Sequence, residues 1–180
     1  DQILIGGAMA YTFLKAQGLG VGTSLVEDDQ GEVALVILDK ARASNVSFHL
    51  PQDHVVARAP QAGAETRTVE SLPFPDDMMG VDIGPKTVAA YAKVIAAAKT
   101  IFWNGPMGIF EVDEFAKGTI GIAQAVAASG AVSIVGGGDS VAAVKKAGVR
   151  DKISHLSTGG GASLEYVAYE TLPGITALEN

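Results

Sequence analysis

The chain predicts an α/β fold: a doubly wound, mostly parallel sheet with helices on both faces. Three observations carry this expectation. Short, near-continuous apolar runs alternate with segments of helical period, the pattern of parallel strands covered on both sides. Glycine clusters at Gly6-Gly7, Gly136-Gly137-Gly138 and Gly159-Gly160-Gly161 each stand directly behind such a run, where strand carboxyl ends in open α/β sheets receive ligands. The length of 180 residues suits one domain, residues 1–180, that buries a core without staples.

The elements follow in order along the chain. Residues 2–5 read as a strand and 8–17 as a helix that stops at Gly18, a residue suited to the left-handed cap. A helix over 32–43 sets Val33, Val36, Ile37 and Lys40/Ala41 at helical spacing. Residues 45–50 form the next strand, closed by Pro51. The stretch 53–79 is less regular, with β-like runs at 54–57 and 66–69 around a turn. An alanine-rich helix over 87–99 follows Pro85. Strand 100–103, helix 114–129, strand 131–135, helix 140–147 capped by Gly148, strand 152–157 and helix 163–170 complete the alternation.

Composition narrows the function. A formal charge of −7 argues against nucleic acid as partner, because phosphate backbones need a basic face. No cysteine is present, which rules out disulfides and thiolate metal sites and is compatible with a reducing compartment. Val33–Leu38, the longest apolar run, is far too short to span a membrane. The chain opens on Asp1 one residue before an apolar strand, with no signal-peptide pattern; this abrupt start predicts a truncation.

A strand, then glycines, then a helix aims free backbone N–H groups and a positive helix end at one point, a ready site for phosphate. Three such clusters, with a fourth turn at Asn104-Gly105-Pro106-Met107-Gly108, predict a phosphorylated ligand. The common nucleotide motifs do not fit. Gly18-Leu19-Gly20-Val21-Gly22 lacks GxGxxG spacing and follows a helix, and Gly84-Pro85-Lys86-Thr87 lacks the spacing of GxxxxGK[ST], which Pro85 interrupts. Gly138-Asp139-Ser140 with His155 and Asp151 downstream resembles a GDS-type serine hydrolase, whose serine needs a base in reach and a group to orient it. The spacing Asp151-x-x-x-His155 differs from that family's D-x-x-H, and His155 also reads as a sheet-face histidine, Ser140 as a helix cap. His49 and His54 have no partner at metal spacing and read as structural.

Longer strings decide between these readings. Residues 5–16 (IGGAMAYTFLKA), 79–87 (MGVDIGPKT), 103–111 (WNGPMGIFE), 136–140 (GGGDS) and 154–165 (SHLSTGGGASLE) occur in the order and spacing of phosphoglycerate kinase. The chain resembles the carboxyl-terminal, nucleotide-binding part of that family from end to end, including Leu172–Leu178 as its natural terminus. The resemblance implies an incomplete Rossmann-like domain and a cytoplasmic, glycolytic kinase that moves a phosphoryl group between 1,3-bisphosphoglycerate and ADP, giving 3-phosphoglycerate and ATP.

It also implies roles. Asp139 matches the ligand of the nucleotide's Mg2+, a hard ion that takes few protein oxygens and keeps phosphates and water. Gly136, Gly137, Gly138 and Ser140 would face nucleotide phosphates with backbone N–H groups, with Asn104 and Pro106 beside them. Glu111 would bond the ribose hydroxyls and Gly80 line the adenine pocket; Gly6, Gly7, Gly108 and Ile109 complete the nucleotide set. Gly159, Gly160 and Gly161 would face the transferred phosphoryl and, with Gly137, make the catalytic group. Taken alone, Asp139 reads equally as a helix cap, Glu111 as a surface acid and Trp103 as packing. Met78 stands where the family commonly has tryptophan. A Gly-Gly-Ala-Lys-Val-x-Asp-Lys stretch that the family carries upstream, with two phosphate-handling lysines, is not in these residues, nor is the amino-terminal domain that holds phosphoglycerate. The missing strand is expected at the middle of the sheet beside 2–5, the shared neighbour of the early strands (2–5, 46–50) and the later ones (100–103, 131–135, 152–157), so the chain alone is expected to be inactive and poorly stable. The alternatives are a catalytically inert nucleotide-binding module and, behind it, the hydrolase.

Overall fold

A computed structural model describes residues 1–70 and 72–178. It contains eight strands, β1 (Gln2–Leu4), β2 (Ser47–His49), β3 (His54–Ala57), β4 (Thr66–Val69), β5 (Met79–Ile83), β6 (Thr100–Asn104), β7 (Val132–Gly136) and β8 (His155–Ser157). The α-helices are α1 (Gly7–Ala16), α2 (Gly31–Ala43), α3 (Pro85–Ala97), α4 (Lys117–Ala128), α5 (Gly138–Lys146), α6 (Gly160–Tyr169) and α7 (Pro173–Thr176). The parallel strands and their flanking helices make an incomplete doubly wound α/β architecture. None of the helices described is long and apolar enough to cross a membrane. Two compact units divide the chain: Asp1–Val94 with Pro106–Ile122, and Ile95–Gly105 with the segment from Ala123 onward.

In the first unit β1 and β2 pair in parallel, Gln2 opposite Ser47 and Leu4 opposite His49. Tyr91 of α3 ties their ends, its hydroxyl donating to the carbonyls of Ile5 at 2.7 Å and His49 at 3.0 Å. Phe13 of α1 packs on Ala34 and Leu38 of α2. This corrects the expected face of α2. Val33, Val36 and Ile37 are exposed and Ala34 and Leu38 are buried instead, while Ala41 of the expected stripe is buried. Both stripes have helical spacing; the bulk of Phe13 selects the one with alanine at its edges.

The same unit holds an antiparallel sheet of order β4–β3–β5, with a register shift between Val55 and Val56 on β3. Tyr11, Leu14, Val21, Val56, Val69 and Phe74 form its core, and Ala57, Val81 and Phe115 a second cluster. The hairpin runs 54–57 and 66–69 stand as expected, while β5 was not anticipated. Two helix starts in this unit are closed by buried carboxylates. Asp53 accepts from the N–H of Lys86 at 2.9 Å and of Thr87 at 2.7 Å, and from the Thr87 hydroxyl at 2.6 Å. Asp82 accepts from the Gly118 N–H at 2.6 Å, in the first turn of α4. The Gly84–Thr87 string is therefore a capped helix start, and the Lys86 ammonium pairs with Glu70 on the surface.

The second unit is built on β6–β7–β8, all parallel. Trp103, Val135, Val141, Ala143 and Val144 are buried. Strand β8 begins at His155, shorter than the expected 152–157, because residues 150–152 wind into a 3-10 turn. Helices α5 and α6 begin earlier than the expected 140 and 163, so their glycines lie inside the first turns. No residue of α6 is buried, nor any of α7, which the sequence reading had not anticipated.

Candidate functional site

Register brings the second unit's motif residues together. Asn104 at the end of β6 pairs with Gly136 at the end of β7, and Gly136 with Ser157 at the end of β8. The N–H of Gly137 then donates to the Ser157 carbonyl at 2.9 Å, which turns the chain out of β7 into α5. Gly137 has φ +97°, a backbone state that L side chains rarely adopt. Gly160, at the start of α6, comes so near that a Cβ on it would stand 2.9 Å from the Gly137 Cα. Asn104 spans the pair: its Nδ2 donates to the Gly160 carbonyl at 3.0 Å, and its Oδ1 lies on the Gly137 side.

Two helix N-termini of nine and ten residues thus start side by side over one strand-end row, with glycines at their contact. Neither has a side chain capping its free N–H groups. Their macrodipoles both favour an anion at that place. Gly138 and Gly161 have no heavy atom within 4 Å of a Cβ position, which leaves room for a ligand to lie against the backbone. Gly159 is exposed as well.

Asp139 is exposed in the first turn of α5. Among the described residues no group of three or more His, Asp or Glu could hold a metal by itself. Asp139 offers one carboxylate at this helix start, and Mg2+ is a cation that accepts one or two protein carboxylates and completes its shell with phosphates and water. Ser140 is different from its neighbours. Its side chain is 1% exposed, and its Oγ accepts from the Gly105 N–H at 2.7 Å. The sequence offers Ser140 as a source of a backbone N–H, as a helix cap or as a nucleophile; Gly137 is the cap position instead, and no local signal points to this side-chain bond. A buried serine hydroxyl already engaged by a backbone donor is not placed as a hydrolase nucleophile needs to be.

The remaining motif residues gather in the first unit. The N–H of Gly7 donates to the Met107 carbonyl at 2.9 Å, and that of Ile109 to the Val81 carbonyl at 2.9 Å. These bonds lay the segment Pro106–Glu111 against the start of α1 and against β5. The side chain of Met107 fills the space above Gly6, and a Cβ on Gly80 would fall on the Tyr11 hydroxyl. A Cβ on Gly108 would meet the Val81 carbonyl oxygen and Asp82. Glu111 stands exposed at the end of this segment. Burial without a partner charge pushes Asp82 up to about 7, against the pull of the Gly118 and Ile83 N–H groups. Burial likewise raises Tyr11, reinforced by Asp82. His54, 2% exposed between Tyr11 and Phe74, is held down to about 4 by burial.

Comparison with known proteins places these features in one family. The family model described as phosphoglycerate kinase matches residues 1–170. A phosphoglycerate kinase of Prosthecochloris aestuarii is 58% identical over 183 residues, covering 100% of this chain and 46% of its own length. That of Solibacter usitatus is 59% identical over 179 residues, covering 99% and 44%. The solved phosphoglycerate kinase of Coxiella burnetii superposes with a TM-score of 0.93 at 45% identity, covering 98% of this chain and 46% of that one. The enzyme from Pyrococcus horikoshii gives 0.85 at 34% identity, covering 99% and 45%. The chain spans about half the length of the curated relatives it matches. It belongs to the phosphoglycerate kinase family.

Proposed function

We propose that this chain is the nucleotide-binding half of a cytoplasmic phosphoglycerate kinase. The whole protein transfers a phosphoryl group from 1,3-bisphosphoglycerate to ADP. A terminal ADP oxygen attacks the acyl phosphorus, the bond to the carboxyl oxygen breaks, and 3-phosphoglycerate leaves. The observation that carries the reading is the contact of Gly137 and Gly160, which sets two uncapped helix starts side by side. Phosphoryl transfer needs positioning and charge compensation more than covalent chemistry, and paired N-termini supply both. Residues Gly136–Ser140 with Asn104 would hold the nucleotide phosphates through their N–H and amide groups. Gly159–Gly161 would meet the phosphoryl in transit. Of the first unit's residues, Pro106 would stand beside the phosphates, Gly80 line the adenine pocket and Glu111 accept from the ribose hydroxyls, with Gly6, Gly7, Gly108 and Ile109 completing the nucleotide set. Asp139 would contribute one oxygen to Mg2+, which offsets charge on the phosphates when bound.

Phosphoglycerate would be held by residues outside this chain. The 180 residues alone would then catalyse nothing and unfold without a sharp transition. The test is ATP formation from ADP and 1,3-bisphosphoglycerate, followed in a coupled assay, by the full-length protein and by residues 1–180. Turnover by the longer protein alone is expected. A full-length protein that binds Mg-ADP without turnover would favour the inert nucleotide module.

A further inference from the structure

The reading above leaves two hydrogen-bonding groups of the second unit without a task, the Ser140 hydroxyl and the Trp103 indole. Both end on Gly105. Its N–H donates to Ser140 Oγ at 2.7 Å, and its carbonyl accepts from Trp103 Nε1 at 2.7 Å. Gly105 has φ +91° and no heavy atom within 4 Å of a Cβ position. A glycine with that freedom and no packing is placed by whatever bonds its amide and carbonyl. Ser140 and Trp103, 1% and 5% exposed, are themselves fixed in the core and give those bonds rigid ends.

We propose that Ser140 and Trp103 are positioning residues that clamp Gly105, and so hold the Asn104 amide across the two glycine helix starts. The backbone torsions that meet at the 104–105 peptide set where the Asn104 side chain points. That side chain donates to Gly160 on one side and lies beside Gly137 on the other. Releasing Gly105 would leave α5 and α6 intact but free the bridge between their starts. The catalytic consequence rests on the phosphoryl-transfer reading; the clamp itself does not. If the start of α5 grips the bound nucleotide while the start of α6 meets the phosphoryl in transit, a loosened bridge affects the transition state more than ground-state binding.

The experiment uses the full-length protein with Ser140→Ala, Trp103→Phe and both together, each first checked for cooperative unfolding. In each single variant kcat is expected to fall about tenfold while the nucleotide KM moves less than about twofold. The double variant should be little worse than the poorer single one, because both act on one peptide. A second readout is independent of activity. In an Asn-Gly pair the glycine nitrogen can attack the asparagine Cγ, expelling ammonia and closing a succinimide that water opens to aspartate or isoaspartate. The clamp holds that nitrogen on Ser140, so both single variants should deamidate at Asn104 faster than the parent in peptide mapping. Unchanged kcat, a change confined to KM, or unchanged deamidation in both variants overturns the clamp. If the parent itself transfers no phosphoryl group, the kinase reading fails, and deamidation alone decides the clamp.

Discussion

Two helix starts of the first unit and two of the second are treated in opposite ways, although α1 and α2 of the first unit also begin without a side-chain cap. In the first unit α3 and α4 begin under buried carboxylates, Asp53 and Asp82, which satisfy the free N–H groups of their first turns. In the second unit α5 and α6 begin on glycine with no side-chain cap. The glycines differ in the same sense. A Cβ on Gly84 would collide with Asp53, and on Gly108 or Gly118 with Asp82, so these glycines make room for the protein's own carboxyl groups. Gly138 and Gly161 face open space. The lesson is that a helix N-terminus is completed either by the chain or by something outside it. Glycine at a helix start does not by itself tell which; the neighbouring side chain does.

Removing the internal anion should give the largest effect. Asp53→Ala strips the cap of α3 and leaves Lys86 and Thr87 N–H groups unpaired in a buried place, at a cost of about 3 kcal/mol. Denaturant unfolding of the full-length protein would show it. A change below about 1 kcal/mol would mean that Asp53 caps no more strongly than a surface residue. Gly160→Ala is the counterpart in the second unit. Its methyl would press the Gly137 backbone and part the two helix starts, lowering kcat about a hundredfold, with little change in unfolding. Full turnover in that variant would separate the Gly137–Gly160 contact from the chemistry.

The pH dependence of the first unit sharpens the comparison further. His54 sits near 4 when folded against 6.5 free, so its share of stability is complete above 6.5 and is lost as pH falls toward 4. Asp82 sits near 7 when folded against 3.8 free, so its share is complete below 3.8 and is lost as pH rises toward 7. The two slopes oppose each other across nearly the same window. Asp82→Asn should therefore make stability climb with pH from 4 to 6.5 relative to the parent, by about 3 kcal/mol. His54→Phe should tilt it the other way. Chemical denaturation at several pH values measures both; a slope of the reverse sign in either variant removes that residue from the account.

The smallest effects belong to the exposed acids. Asp139→Ala should weaken nucleotide binding about tenfold with Mg2+ present and hardly at all without it. Titration calorimetry in both conditions tests this, and equal affinities would take Asp139 out of the metal's shell. Glu111→Ala should raise the nucleotide KM about tenfold and narrow the preference for ribonucleotides over deoxy analogues. Undiminished discrimination in steady-state kinetics would dismiss the ribose contact.

The alternation of strands and helices was legible because it rests on local period, and so were the hairpin runs 54–57 and 66–69. Strand β5 was not. Gly80 and Asp82 are poor strand formers, and they stand in a strand because Tyr11 needs the space above Gly80 and the start of α4 needs the Asp82 carboxylate. The buried face of α2 was equally hidden, since two stripes shared one period and Phe13 on another helix chose between them.

By itself the sequence determined the alternation of most strands and helices, the glycine clusters at strand ends and the family that owns their order. These depend on residues a few positions apart, where periodicity and turn chemistry act. The tertiary structure alone decided which helix starts are closed and which stay open. It also decided that Ser140 bonds Gly105 across 35 positions and that Gly137 meets Gly160. Such pairings depend on strand register and packing, which bring distant residues within an ångström-scale fit that no local pattern encodes.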